Sequence, residues 1–234
     1  MCEKVRILAV DTSAVCAAVA VTDGDRILSE SQTNTGLTHS RTLMPMIDST
    51  LRNAEIPLES IDAFACSVGP GSFTGIRIGV AAIKGLCDGT EKKCIPVSTL
   101  EALAYNLLGR KCTAVCVMDA RCNQVYCGIF LVDGEKVTRL TPDEAIRIDE
   151  LGERLGRYED VIFVGDGAGL CHKALGYKIA SSSELYQKGS SVAFCAGRNF
   201  SDDSLLDGAS LMPVYLRLPQ AERELKAKSE LLKK

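Results

Sequence analysis

The sequence predicts an α/β protein of two tandem domains, each a mixed sheet flanked by helices. Three observations carry this. A run of strand, Asp-led turn, strand, Asp-Gly turn and strand occurs twice, at 5–32 and at 114–140, and internal duplication is the simplest account of it. The near-continuous apolar stretch at 61–68 reads as a strand covered on both faces, and it and the strand at 161–164 each run into a glycine-rich loop. The 234 residues also suffice for two units that each enclose a core. The expected boundaries are 1–104 for the first domain, 105–219 for a smaller second one, and 220–234 for a charged, mostly solvated helical tail.

Taken in order, 5–10 is an apolar strand, Asp11-Thr12-Ser13 a turn, and 14–21 a second strand of small and β-branched residues. Asp23-Gly24 between two such runs is a hairpin signal, so 26–32 continues the meander. Residues 37–54 read as a helix with Leu43, Ile47, Leu51 and Ala54 on one face, widened by Met44 and Met46. Pro45 inside it should cost about 3 kcal/mol, which predicts a kink or a late start. Strand 61–68 leads through Gly69-Pro70-Gly71-Ser72-Phe73-Thr74-Gly75 into a helix over 76–87. That helix has Gly75, Gly79 and Ala82 as a small-residue stripe and Ile76, Val80 and Ile83 as an apolar side. Two packed faces imply contact beyond the domain, or else both faces meet the 37–54 helix. A short strand at 95–97 and a helix at 100–108 join the halves. The second copy then reads as strand 114–118, the turn Asp119-Ala120-Arg121, strand 124–132, the turn Asp133-Gly134, helix 142–157, strand 161–164, loop 165–169 and helix 192–199.

Several function classes are excluded by composition. A net charge of −3 and a pI near 5.5 disfavour unaided nucleic-acid binding, which draws its affinity from phosphate neutralisation. No apolar run approaches the length that spans a bilayer, and the basic start lacks a secretory core, so the cytosol is the expected location. The 11 cysteines include no C-x-x-C pair and mostly sit in apolar runs, where a reduced thiol packs as a small hydrophobe. They are expected to fill core rather than to bind zinc or form disulfides. His39 and His172 are distant and form no H-x-x-x-H pair, which gives no support to a His-based triad or a metalloprotease centre.

The Gly69–Gly75 loop aims unpaired backbone N–H groups at whatever precedes its helix, so an anion could sit there; Ser72 or Thr74 as an N-cap would satisfy the same donors. It is neither a Walker loop, since Gly75 is followed by Ile76-Arg77, nor a dinucleotide fingerprint, since Thr74 stands where the third glycine is due. Asp11-Thr12-Ser13 at a strand end could face a metal-bound phosphate, although Ser13 keeps phosphate further away than a residue without Cβ would. Asx-type turn bonds are the simpler role for Asp11. The candidate nucleotide or anion contacts are thus Asp11, Thr12, Ser13, Gly71, Ser72 and Thr74.

The duplicated meander, Ile7 to Ser13, Ser67 to Gly79 and Pro213-Val214-Tyr215-Leu216-Arg217 together closely resemble the TsaB (YeaZ) family of the actin-like/sugar-kinase (ribonuclease H-like) superfamily. Asp119-Ala120-Arg121 and Val125-Tyr126 support the likeness in the second half. The resemblance implies a non-catalytic subunit that acts beside TsaD, its catalytic paralogue, and TsaE, a small P-loop ATPase, in placing threonylcarbamoyl on the tRNA adenosine next to the anticodon. It also implies docking of helices 37–54 and 76–87 on TsaD, or on a second copy when alone, with tRNA reached only through the complex and no cofactor beyond weak nucleotide binding. Met44, Ile47, Leu51, Ile76, Val80 and Ile83 are the expected contacts. The metal-binding histidines of TsaD fall at Thr99 and Leu103 here, neither of which can replace imidazole. The alternatives are a sugar-kinase-type enzyme that uses ATP through Asp11 and the 165–169 loop, or an inactive metalloprotease homologue.

Overall fold

The structure, a computed structural model, describes residues 5–217. Strands β1 (Arg6–Asp11), β2 (Ala17–Asp23) and β3 (Arg26–Thr33) form the antiparallel meander. After helix α1 (His39–Ala54), strand β4 (Ala63–Gly69) joins β1 in parallel; helix α2 (Phe73–Thr90) and strand β5 (Cys94–Ser98) complete a sheet of order β3-β2-β1-β4-β5. Helix α3 (Thr99–Tyr105) leads to the second sheet, which contains β6 (Lys111–Asp119), β7 (Gln124–Asp133), β8 (Lys136–Arg139), β9 (Glu144–Arg147), β10 (Val161–Val164) and β11 (Lys178–Ile179). Helix α4 (Ile148–Leu155) precedes β10, α5 (Ala168–Leu175) follows it, and α6 (Gly189–Arg198) comes after β11.

The second sheet runs β11-β10-β6-β7-β8, the first sheet's order strand for strand, as a duplication requires. Its third strand is split: β8 pairs with residues 130–133 of β7 and β9 with residues 124–127. The segment 142–157, expected to be one helix, is therefore strand first and helix only from Ile148. The edge of β7 needs a partner there, and Ile146 is buried by supplying it.

Strand alternation separates two cores in the first sheet. Leu8 and Val10 face Leu43 and Ile47 of α1 and Ile76, Val80 and Ile83 of α2. Ile7 and Ala9 face Val192, Ala193 and Ala196 of α6 on the other side. The expected boundary at 105–219 is corrected by this packing: α6 lies on the first sheet, and the segment after it follows, with Leu206 paired to Cys94 and the Val214 amide donating to the Val68 carbonyl at 2.8 Å. The chain leaves the first unit through α3 and returns through α6. The expected late start at Pro45 is absent as well, because α1 begins at His39 and continues through Pro45. Pro45 and Arg41, whose carbonyl loses its helical donor, are both exposed, so that carbonyl is open to solvent. The helical tail expected at 220–234 lies outside the described residues.

Candidate functional site

The two glycine loops and the two Asp-led turns meet between the sheets, around a cleft of about 790 Å³. The turns share one local geometry. Asp11 Oδ1 accepts the Ser13 N–H at 2.8 Å, and in the second copy Asp119 Oδ1 accepts the Arg121 N–H at 2.7 Å. Both are Asx turns, in which a short carboxylate bonds its own backbone two residues on. Beyond this the copies diverge. Asp11 is fully buried; its carboxylate also accepts the Ser13 hydroxyl at 2.6 Å and the Ser67 hydroxyl at 2.5 Å, and burial pushes its pKa up. Asp119 borders the cleft and pairs with the exposed Arg121 at 3.1 Å.

The Gly69–Gly75 loop is filled by its own domain. A Cβ at Gly71 would lie 2.4 Å from the Ser13 carbonyl oxygen, and one at Gly75 would lie 2.1 Å from that of Thr12. The Ser72 N–H donates to the Ser13 carbonyl at 2.6 Å, Thr12 Oγ1 donates to the Gly75 carbonyl at 2.8 Å, and the Ser72 hydroxyl caps the Gly75 N–H at 3.2 Å. The small-residue stripe thus receives the turn after β1 of its own domain, which is neither a contact beyond the domain nor the 37–54 helix. Of the expected anion contacts, Ser13, Gly71, Ser72 and Thr74 border the cleft, whereas Asp11 and Thr12 lie beneath its floor. His39, which also borders the cleft, gives its Nε2 hydrogen to the Ala14 carbonyl at 2.7 Å and so ties the start of α1 to the same turn.

Sequence reasoning did not count Asp166, Tyr215 and Arg217 as site residues. Asp166, in the second glycine loop, accepts the Asp119 N–H at 3.2 Å; burial, with the Asp119 charge beside it, pushes its pKa up to about 6. Tyr215 stacks on Phe73 with ring centroids 4.7 Å apart, and its hydroxyl accepts from Arg77 Nε at 2.8 Å. Arg217 crosses to the second domain and donates to the Ala120 carbonyl at 2.5 Å. The signal for Asp166 was its place in the repeat, as the second copy's counterpart of the first glycine loop. Tyr215 and Arg217 stand in the Pro213–Arg217 stretch that carries part of the family resemblance, but nothing in that stretch gave either one a place in the site.

The expected partner contacts divide. Ile47, Ile76, Val80 and Ile83 are at most 4% exposed, so this part of the expected interface is corrected: these side chains hold α1 and α2 to the sheet. Met44 is 49% exposed and Leu51 is half-buried. Both line a second cavity of about 580 Å³, with Ile56, Leu58 and Leu86 beside them and Asp48, Arg52 and Glu55 at its rim. The exposed positions of α2 are Thr74, Arg77, Ala81, Gly85, Asp88 and Gly89, of which Ala81, Gly85 and Gly89 are small enough to let another helix come close. Thr99 and Leu103 are buried, and among the described residues no group of three or more His, Cys, Asp or Glu is placed to hold a metal ion. No helix among those residues is long and apolar enough to cross a membrane.

Comparison with known proteins agrees with this architecture. The family described as TsaD, tRNA N6-adenosine threonylcarbamoyltransferase, matches residues 27–196. The Bacillus subtilis tRNA threonylcarbamoyladenosine biosynthesis protein TsaB is 31% identical over 226 residues, covering 92% of this chain and 96% of the relative. The Escherichia coli protein of the same description is 27% identical over 230 residues, 95% and 99% of the two chains. A Pseudomonas aeruginosa structure described as similar to peptidase YEAZ superposes with a TM-score of 0.79 at 25% identity, covering 91% of this chain and all of that one. Component A of the Acidaminococcus fermentans (R)-2-hydroxyglutaryl-CoA dehydratase, at 13% identity and a TM-score of 0.52 over 83% of this chain and 98% of that one, shares the fold.

Proposed function

Because the chain belongs to the TsaD family and, within it, to the TsaB (YeaZ) group, we propose that it is an accessory subunit in the biosynthesis of threonylcarbamoyladenosine in tRNA. In this reading it heterodimerises with the catalytic TsaD protein, stabilises it, works with the TsaE ATPase, and performs no chemistry of its own. The observation that carries the reading is the α1/α2 surface: an apolar cavity with the exposed Met44 at its edge, charges of both signs on its rim, and next to it the small-residue face of α2. An exposed methionine adapts to a partner's side chains, and small residues let a second pair of helices come close.

The test is co-purification with tagged TsaD. Met44→Glu places a charge on the proposed contact without touching the core, and it should abolish co-elution while leaving the circular dichroism spectrum of the isolated chain unchanged. Co-elution of Met44→Glu at the wild-type level would refute this face. Val80→Glu is unsuited to the purpose, since a carboxylate beside Leu43 and Ile47 would unfold the domain before it reached a partner.

A sugar-kinase-type enzyme is the rival reading. It has less support because Asp11 spends its carboxylate on Ser13 and Ser67 and lies under the cleft floor. Magnesium-dependent phosphate release from ATP by the purified chain, lost in Asp119→Asn or Asp166→Asn, would favour it.

A further inference from the structure

We propose that Arg77 couples the docking face of α2 to the wall of the cleft: a partner carboxylate that takes its terminal nitrogens fixes its bond to Tyr215, and through Tyr215 holds the segment 208–217 down as a strap. This coupling rests on docking by TsaD as read above, and adds a route from that face to the cleft.

The strap runs back along α2. Gly208 lies against Cys87, where an added Cβ would come within 2.7 Å of the Cys87 Cβ, and Lys84 Nζ holds the Ala209 carbonyl at 3.0 Å. Tyr215 reaches the first turn of the helix, stacked on Phe73 at 4.7 Å between centroids. Val214, Tyr215, Leu216 and Arg217 then line the cleft, and Arg217 crosses it to the Ala120 carbonyl. Gly69, at a φ of 126°, gives the strap its seat, since a Cβ there would lie 2.3 Å from the Val214 carbonyl oxygen. Little else secures this end. Among the described residues, 212–217 makes one backbone hydrogen bond, from the Val214 N–H to the Val68 carbonyl at 2.8 Å, and Met212 and Val214 are 63% and 48% exposed. A stretch with so few buried contacts opens locally at low cost.

Arg77 belongs to both the helix face and the strap. It is the one cation among the exposed positions of α2. Its guanidinium carbon lies 3.8 Å from the Phe73 ring centroid, and its Nε donates to the Tyr215 hydroxyl at 2.8 Å. Its two terminal nitrogens make no hydrogen bond or ion pair among the described residues. Covering a guanidinium with protein strips its water, and a paired carboxylate offsets that loss, so a helix laid on α2 must bring one to Arg77. In the free chain the bond to Tyr215 competes with water, and the long side chain samples other rotamers. Pinned at its far edge, the guanidinium keeps one rotamer, and the strap lifts less often. By reciprocity, the factor by which docking slows that lifting is the factor by which the seated strap tightens docking.

The experiment follows hydrogen exchange at the Val214 amide in the full chain, with and without saturating TsaD. In the wild type, docking should slow this exchange roughly fivefold, the low end of the usual coupling range, because the Arg77–Tyr215 bond lies at the surface. Tyr215→Phe deletes only the hydroxyl and keeps the stack on Phe73. It should still co-elute with TsaD, with Kd raised by about the same factor, but its Val214 amide should exchange at one rate, bound or free. Arg77→Met also deprives the partner carboxylate of its cation and should weaken docking further. The coupling is overturned if docking leaves Val214 exchange unchanged in the wild type, or slows it equally in Tyr215→Phe. Failure of the wild-type chain to bind TsaD would remove the docking reading itself, and the coupling with it.

Discussion

At the scale of single residues, carboxylates decide how the cleft behaves. Asp166 has a pKa of about 6 in the fold, above its ordinary value of 3.8, so the folded protein holds that proton more tightly than the unfolded chain does. The sign follows: below about pH 4 the group costs nothing, between pH 4 and 6 folding loses stability as pH rises, and above that the loss is constant. Allowing for its half-burial, the full loss is about 2 kcal/mol. Asp166→Asn removes the titration, so urea midpoints measured from pH 4 to 7 should show the variant gaining on the wild type by about that amount, with the gain complete near pH 7. A difference independent of pH would mean that Asp166 is not protonated in this range. Asp11 tests the opposite case, a carboxylate used for structure. Asp11→Ala strands the Ser13 amide and the Ser13 and Ser67 hydroxyls without their acceptor, and denaturant unfolding should show a loss of about 2–4 kcal/mol. Asp11 was legible as a turn residue because the Asx turn is a local event. Burial of its side chain, which removes it from the cleft, depends on β4 supplying Ser67 from 56 residues away, and no local pattern carries that.

At the scale of elements, α2 combines the buried side chains Ile76, Val80 and Ile83 with glycines that let the turn after β1 come close, and it leaves Gly85 in open space on its outer side. Gly79 receives Thr12 Oγ1, which would be 2.5 Å from an added Cβ, whereas a Cβ at Gly85 meets nothing within 4 Å. Gly79→Ala should therefore destabilise by about 1–3 kcal/mol through overpacking, while Gly85→Ala should stabilise the isolated chain by about 0.5–1 kcal/mol through helix propensity. Thermal or urea unfolding of the two variants reads out both signs. Periodicity located this helix and its two packed faces, but it could not say which neighbour fills each. The neighbour is the turn after β1, brought in by the parallel pairing of β1 and β4. The 142–157 segment shows the converse: its charged and apolar spacing suited a helix throughout, yet the open edge of β7 drew residues 144–147 into a strand. Tertiary demand overrode local pattern where the edge of β7 needed covering.

At the scale of the whole molecule, the duplication was readable from repeated turns, but the return of the chain to the first sheet was not, since α6 carries no mark of which sheet it serves. The two crossings between the domains, the end of α3 and the approach to α6, are joined by one side chain. Asn106 donates to the Glu184 carbonyl at 2.7 Å and to the Tyr186 carbonyl at 2.8 Å, and its Oδ1 accepts the Ser191 hydroxyl at 2.6 Å. Arg139 and Asp143 of the second domain add bonds to Glu101 and Ser98 of the first. A protein that opened and closed around a ligand would need the crossings to rotate freely, and here they are tied together at the pivot. Asn106→Ala removes three partly or fully buried hydrogen bonds and should cost about 2–4 kcal/mol. The loss should also be localised. Hydrogen exchange should accelerate at the amides of residues 184–192, which include the first turn of α6, while β6 and β7, to which the Asn106 side chain makes no hydrogen bond, keep their protection. Uniform acceleration across both sheets would show instead that the side chain contributes only general stability and that the relative placement of the domains is set by α3 and α6 packing alone.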